Sequence, residues 1–213
     1  ITTDCAISSA MLDKALRESV EGTYNCVSVD GDTSTNDTLL ILANGMAGNQ
    51  VIDSEGADYE AFLSALNQLN RLMAKRIAAD GEGAEHLVEC RVDGAASVED
   101  ARILAKAVIS SNLVKAAFFG KDANWGRILC AMGYSGGSFT PEKASVSFAS
   151  AAGGIQVFKE GVPLDFDEEL ARRILSEDET CIEVELQDGN CSGTAWGCDL
   201  TYEYVKINGD YRT

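Results

Sequence analysis

The chain has 213 residues, with 17 Lys and Arg against 34 Asp and Glu for a formal charge of −17, and 46% of its residues are hydrophobic. That is enough length for one sizeable domain or two small ones packed together, without disulfide or metal staples. An acidic chain lacking a basic cluster is a poor partner for nucleic acid or anionic membrane, and no apolar run approaches the roughly 20 residues of a membrane-spanning helix.

From the start of the chain, Met11, Leu12, Ala15, Leu16 and Val20 stand at helical spacing behind Ser8 and Ser9, either of which serves as N-cap. Residues 24–30 predict a strand, 31–38 a polar loop, and 39–43 a buried strand closed by Asn44-Gly45. Between 58 and 79 the apolar residues follow i, i+3/i+4 throughout, which predicts a long helix stopped by Asp80-Gly81-Glu82-Gly83. Val88, Cys90 and Val92 alternate with charged residues as a strand, and Ser97 with Asp100 opens a helix running to about 110. Strands follow at Val146/Phe148 and Ile155/Val157, then a short helix over 167–175 and a strand through Ile182, Val184 and Leu186. After the Asp188-Gly189-Asn190 turn, Trp196, Cys198, Leu200, Tyr202 and Tyr204 predict one face of a long final strand. The class is α+β. The boundary falls near 85–87, giving regions 1–86 and 87–213, the second divisible into about 87–142 and 143–205.

Chemistry-bearing residues gather in a few places. Seven Cys, at 5, 26, 90, 130, 181, 191 and 198, form no C-x-x-C pair and sit mostly in apolar segments, so they read as buried hydrophobes in a reducing compartment. No metal site is expected, since the lone His86 reads as an ordinary loop residue. The run Val29 to Thr38, VDGDTSTNDT, either holds its own backbone with Asp, Asn, Ser and Thr side chains or places Asp30 and Asp32 as the acid pair of a Mg-dependent phosphotransferase. GKDANWGR at 120–127 reads as a turn fixing Trp125 and Arg127 against a helix start. Glu82, between two glycines, offers a carboxylate to an amine or merely ends a helix. The tail from Lys206 to Thr213 is apolar enough upstream to return to a core, although termini commonly fray.

Taken together, VDGDTSTNDT, GKDANWGRI with the following GYSG, GTAWGCDLTYEYVKIN and the terminal NGDYRT resemble the C-terminal β chain of the ornithine acetyltransferases, the bifunctional glutamate N-acetyltransferases of arginine biosynthesis. The resemblance implies a precursor that cuts itself before a Thr. That Thr becomes the first residue of the β chain and the acetyl-accepting nucleophile, and it would lie about five residues before Ile1, so no catalytic residue is expected within the chain as given. It implies that 1–86 is part of a layered α/β sandwich shared with an α chain, followed by smaller α+β subdomains, with the tail 206–213 returning to the active site. Glu82 matches a substrate-binding Glu, and Asn208 and Thr213 match tail residues lining the substrate pocket. Glu82 would hold the cationic end of ornithine or orient the reacting amine, while Asn208 and Thr213 would donate to a carboxylate. Two departures stand out: Glu85-His86 replaces the usual Thr-Lys, and Ala123 replaces a Pro. The implied reaction moves acetyl from N-acetylornithine to glutamate, giving ornithine and N-acetylglutamate. It uses no cofactor, although acetyl-CoA is a further acetyl donor in some members. The implied assembly is an α2β2 heterotetramer, cytoplasmic, or in the mitochondrial matrix of a eukaryote. A catalytically silent assembly subunit is the alternative.

Overall fold

Ser8 sits in extended backbone and its Oγ accepts the Met11 amide at 3.3 Å, so helix α1 (Ser9–Glu21) starts at the cap its sequence supplies. The computed structural model describes residues 1–211; Thr213, expected in the substrate pocket, lies outside the described residues. The chain packs as two units, one of residues 1–25 with 32–74, the other of 26–31 with 75 onward. The division runs between Ala74 and Lys75, within the long helix α2 (Ala57–Ala79) and upstream of the 86/87 boundary expected from sequence.

In the first unit, β1 (Thr2–Thr3) pairs in parallel with β3 (Leu42–Ala43), and Ala15 of α1 packs with Ile52, Tyr59 and Leu66 in a small core. The strand expected over 39–43 shrinks to Leu42–Ala43 and is not buried: Leu40 and Leu42 are 65% and 64% exposed. Among the described residues its one sheet partner is the two-residue β1, and Ile41 is the residue of the apolar run that packs against the small core. The α2 helix forms as expected. It buries Tyr59, Leu66, Asn70, Ala74 and Ala78 on one face but leaves Leu69, Leu72, Met73 and Ile77 exposed on another.

The second unit is built on a seven-stranded mixed sheet. Its strands are β2 (Val27–Ser28), β4 (Leu87–Ala95), β5 (Ser145–Ser150), β6 (Gly153–Lys159), β7 (Val162–Pro163), β8 (Glu179–Glu185) and β9 (Cys191–Cys198), in the order β2-β9-β4-β8-β5-β6-β7. On β4, Val88, Cys90 and Val92 are buried on one face, with Cys90 opposite Ile182 and Val92 opposite Val184 on parallel β8, while Glu89, Arg91 and Asp93 alternate with them on the other, where Arg91 is exposed and paired with Glu89. The hairpin expected between β8 and β9 does not form. The two flank β4 on opposite sides, and the 186–190 connection crosses its end through the Leu186 amide to the Asp93 carbonyl and the Gly189 amide to the Gly94 carbonyl, both 2.8 Å.

Helix α3 (Val98–Ser110), capped by Ser97 as expected, lies close against β9 because Gly193 offers no side chain; a Cβ there would stand 2.7 Å from the Arg102 amide nitrogen. Ser111 then accepts the Val114 amide and opens α4 (Asn112–Phe119), a helix not among the expected elements. Asn124 caps α5 (Trp125–Gly133), where Trp125 stacks on Phe158 with centroids 4.8 Å apart and Arg127 donates to the Leu113 carbonyl at 2.8 Å. The turn read at 120–127 does fix an aromatic and an Arg at a helix start. Asp167 caps α6 (Glu168–Ile174). The long final strand ends early, at Cys198, because Thr201 caps a helix, α7 (Tyr202–Asp210). Among the described residues no helix is long and apolar enough to cross a membrane.

Candidate functional site

Residues 81–86 and 199–208 of the second unit are stitched to each other rung by rung. At one end Asp199, 3% exposed, accepts the Glu85 and His86 amides at 2.9 and 3.1 Å through one oxygen, while its own amide donates to the His86 carbonyl at 3.2 Å. Next, the Thr201 hydroxyl donates to the Gly83 carbonyl at 2.6 Å and accepts the Tyr204 amide, so one side chain both caps α7 and ties it to the Glu82 loop. Gly83 has φ +69° and no room for a Cβ, which would meet the Tyr204 nitrogen at 2.6 Å. Only glycine allows that approach. At the far end the Asn208 side-chain nitrogen donates to Glu82 Oε2 at 2.8 Å. Two residues singled out in sequence, 126 positions apart, are thus brought together.

The polarity of this pair is fixed by its neighbours. Asn208 Nδ2 also donates to the Tyr204 carbonyl at 3.1 Å. Both contacts are acceptors, so the amide nitrogen and not the oxygen must face them, and both of its hydrogens are used. What Asn208 retains for a ligand is an acceptor, Oδ1, beside the Glu82 carboxylate. Glu82 and Asn208 are both exposed, as an open binding edge requires.

Further anchors surround the pair. The Tyr204 hydroxyl donates to Asp30 Oδ2 at 3.0 Å, and the Tyr202 ring meets Phe119 edge-on at 5.3 Å. Behind them Lys115, 2% exposed, donates to the Cys198 carbonyl and lies 3.5 Å from its sulfur. Burial pushes the Cys198 thiol up despite that ammonium, and burial alike pushes Cys181 up to about 12. Neither is a nucleophile at neutral pH. Among the described residues no disulfide forms; Cys26, Cys90 and Cys198 are buried as expected, whereas Cys130 is exposed. His86 is a loop residue, as expected, just before β4, and it is buried, its Nδ1 within 3.1 Å of the Glu177 carbonyl. Among the described residues the only group of three candidate metal ligands is Glu85, His86 and Asp199, with one ligand atom from each within 4.8 Å of the others. One Asp199 oxygen there is already held by two backbone amides. Asp30 and Asp32 belong to no such group.

The family model for ArgJ matches residues 1–213. This chain belongs to the ArgJ family. Relatives named arginine biosynthesis bifunctional protein ArgJ include that of Clostridium acetobutylicum (ArgJ 1), 54% identical, and that of Symbiobacterium thermophilum, 53% identical, each aligned over all of this chain and 52% of its own length. A crystal structure of the ArgJ protein of Bacillus halodurans superposes with a TM-score of 0.93 at 44% identity, covering 99% of this chain and 98% of that one. The resemblance seen in the motifs and the α+β class are both upheld. The chain spans about half the length of the curated ArgJ relatives it matches.

ArgJ membership leaves the phosphotransferase alternative without support, and Asp30 is engaged by Tyr204. Asp199, Thr201 and Tyr204 were not singled out in sequence. The signal was present in Asp-Leu-Thr-x-x-Tyr, a cap followed by a first helical turn, but the alternating Trp196, Cys198, Leu200, Tyr202 and Tyr204 spoke for strand.

Proposed function

We propose that the complete protein is an acetyltransferase moving acetyl from N-acetylornithine to glutamate, and that this chain contributes one wall of its substrate site. The observation carrying the local assignment is the 2.8 Å Asn208–Glu82 hydrogen bond, with both Asn208 amide hydrogens committed. A carboxylate beside an amide oxygen suits an ammonium group. Asn208 thus serves the cationic end or the reacting amine of the substrate, together with Glu82, instead of donating to a carboxylate as expected from the resemblance. Thr213 keeps the carboxylate-binding role that the resemblance gives it.

The nucleophile in this reading is a Thr just upstream of Ile1, whose α-amino group, of pKa roughly 7.7–8.0 when unperturbed, takes the hydroxyl proton. The Thr oxygen attacks the acetyl carbonyl, the C–N bond breaks, and ornithine leaves with the proton on its amine. Glutamate's neutral amine then attacks the Thr ester, and the Thr oxygen regains its proton. An α chain from the same precursor supplies the oxyanion donors and a Lys to balance glutamate's charge, within a cytoplasmic α2β2 assembly; acetyl-CoA is a second donor, and no cofactor is required. The exposed apolar residues Leu69, Leu72, Met73 and Ile77 on α2 support such a partner. The silent assembly subunit has less support, because a purely structural chain has no use for an exposed Glu–Asn pair braced by Asp199, Thr201 and Tyr204.

Initial velocities of the processed full-length protein test this. Parallel double-reciprocal lines, and a mass gain of one acetyl group on the β chain with N-acetylornithine alone, are expected. Intersecting lines without an acetylated chain would overturn the reading.

A further inference from the structure

We propose that the Asp30–Tyr204 hydrogen bond sets the rotation of α7 and thereby holds Asn208 against Glu82, making Asp30 and Tyr204 positioning residues of the reaction; this rests on the Glu82–Asn208 reading above. Helix α7 has nine residues and buries none of them. A helix so short and so exposed has little stability of its own, so its position is set by tethers. Thr201, Gly83 and the Tyr202–Phe119 contact hold its first turn. The Tyr204 hydroxyl adds a tether to a different segment, about one turn before Asn208. Tyr204 and Asn208 are i and i+4, on one face and about one turn apart. A phenol fixed at Tyr204 therefore fixes the direction in which Asn208 projects.

The anchor for that phenol comes from elsewhere in the unit. Asp30 lies two residues beyond β2, an edge strand paired in parallel to β9, so the carboxylate that receives the Tyr204 hydroxyl comes from the segment leaving the sheet edge and not from the Glu82 loop. Two supports reached from different backbone segments define a rotation that either alone does not. Coupling inside the helix is direct as well, since the carbonyl of Tyr204 accepts the second Asn208 hydrogen. No core residue belongs to α7, so loosening the tether alters the site without dismantling the sheet.

The test is a double-mutant cycle in the processed full-length enzyme, assayed with N-acetylornithine and glutamate alongside thermal unfolding. Tyr204→Phe and Asp30→Ala are each expected to lower kcat/KM about ten-fold, chiefly through KM, with little change in Tm. Asp30→Asn, whose amide oxygen still accepts the phenol hydrogen, is expected to retain most of the activity. Because Tyr204 acts through Asn208, adding Tyr204→Phe to Asn208→Ala should cause no further loss. Should Tyr204→Phe fail to fold, the contrast between Asp30→Ala and Asp30→Asn carries the same test. An impaired Asn208→Ala beside an unimpaired Tyr204→Phe, or losses that multiply in the double variant, would overturn the tether alone. A silent Asn208→Ala would overturn the Glu82–Asn208 reading and the tether with it.

Discussion

Glu89 is a buried carboxylate held by three donors: Trp196 Nε1 at 2.9 Å, Arg91 Nη2 at 3.1 Å and the Lys75 ammonium at 3.2 Å. Burial pushes its carboxyl up, but the Trp196 N–H with Lys75 and Arg91 outweighs it and holds the group below the usual carboxylate range. A carboxyl whose pKa is lower folded than unfolded contributes stability above its unfolded pKa of roughly 4.3 and loses it as pH falls through the folded value. Glu89→Gln should cost about 1–3 kcal/mol at neutral pH, at the modest end for a buried group because Lys75 and Arg91 reach solvent. The gap between wild type and variant should close as pH drops below about 4. Denaturant unfolding across pH checks both points; a gap independent of pH would show that Glu89 is held without regard to its charge.

At the scale of elements, glycine decides how near helix and sheet come. Gly193→Ala puts a methyl 2.7 Å from the backbone of α3, where no flexible side chain can give way, and should destabilise by about 1–3 kcal/mol, read as a lower Tm. An unchanged Tm would mean that α3 rides on the sheet less closely. The elements legible in sequence were those whose local chemistry and burial agree. α1, α2, α3 and α6 carry periodic apolar residues, three of them behind Ser or Asp caps, and β4, β5, β6 and β8 alternate against buried faces. What failed depended on distant partners. The 39–43 run is apolar like a core strand yet pairs only with the short β1, and the β8–β9 connection looked like a hairpin until β4 stood between them. Alternation hid α7, because Tyr202 and Tyr204 continue the β9 spacing while Thr201 caps a helix. For the site, motif resemblance singled out Glu82 and Asn208. That Asn208 presents an acceptor follows only from the Tyr204 carbonyl and Glu82 facing its nitrogen.

At the scale of the whole molecule, the exposed Leu69, Leu72, Met73 and Ile77 form an apolar stripe on α2. A polypeptide of 1–213 produced alone should therefore be oligomeric or insoluble, and co-production with the α chain proposed above should return it to solution. Light scattering distinguishes these states; a monodisperse monomer with a sharp thermal transition would argue that nothing needs to cover the stripe. The central claim is that Glu82 and Asn208 together receive the substrate's amine. It is tested most directly by steady-state kinetics of the processed full-length enzyme carrying Glu82→Gln or Asn208→Ala, with N-acetylornithine and glutamate as substrates. Losing a charge-assisted contact should lower kcat/KM about ten- to a hundred-fold in each variant, with Tm nearly unchanged because both residues are exposed. Wild-type kcat/KM in both variants would contradict the account.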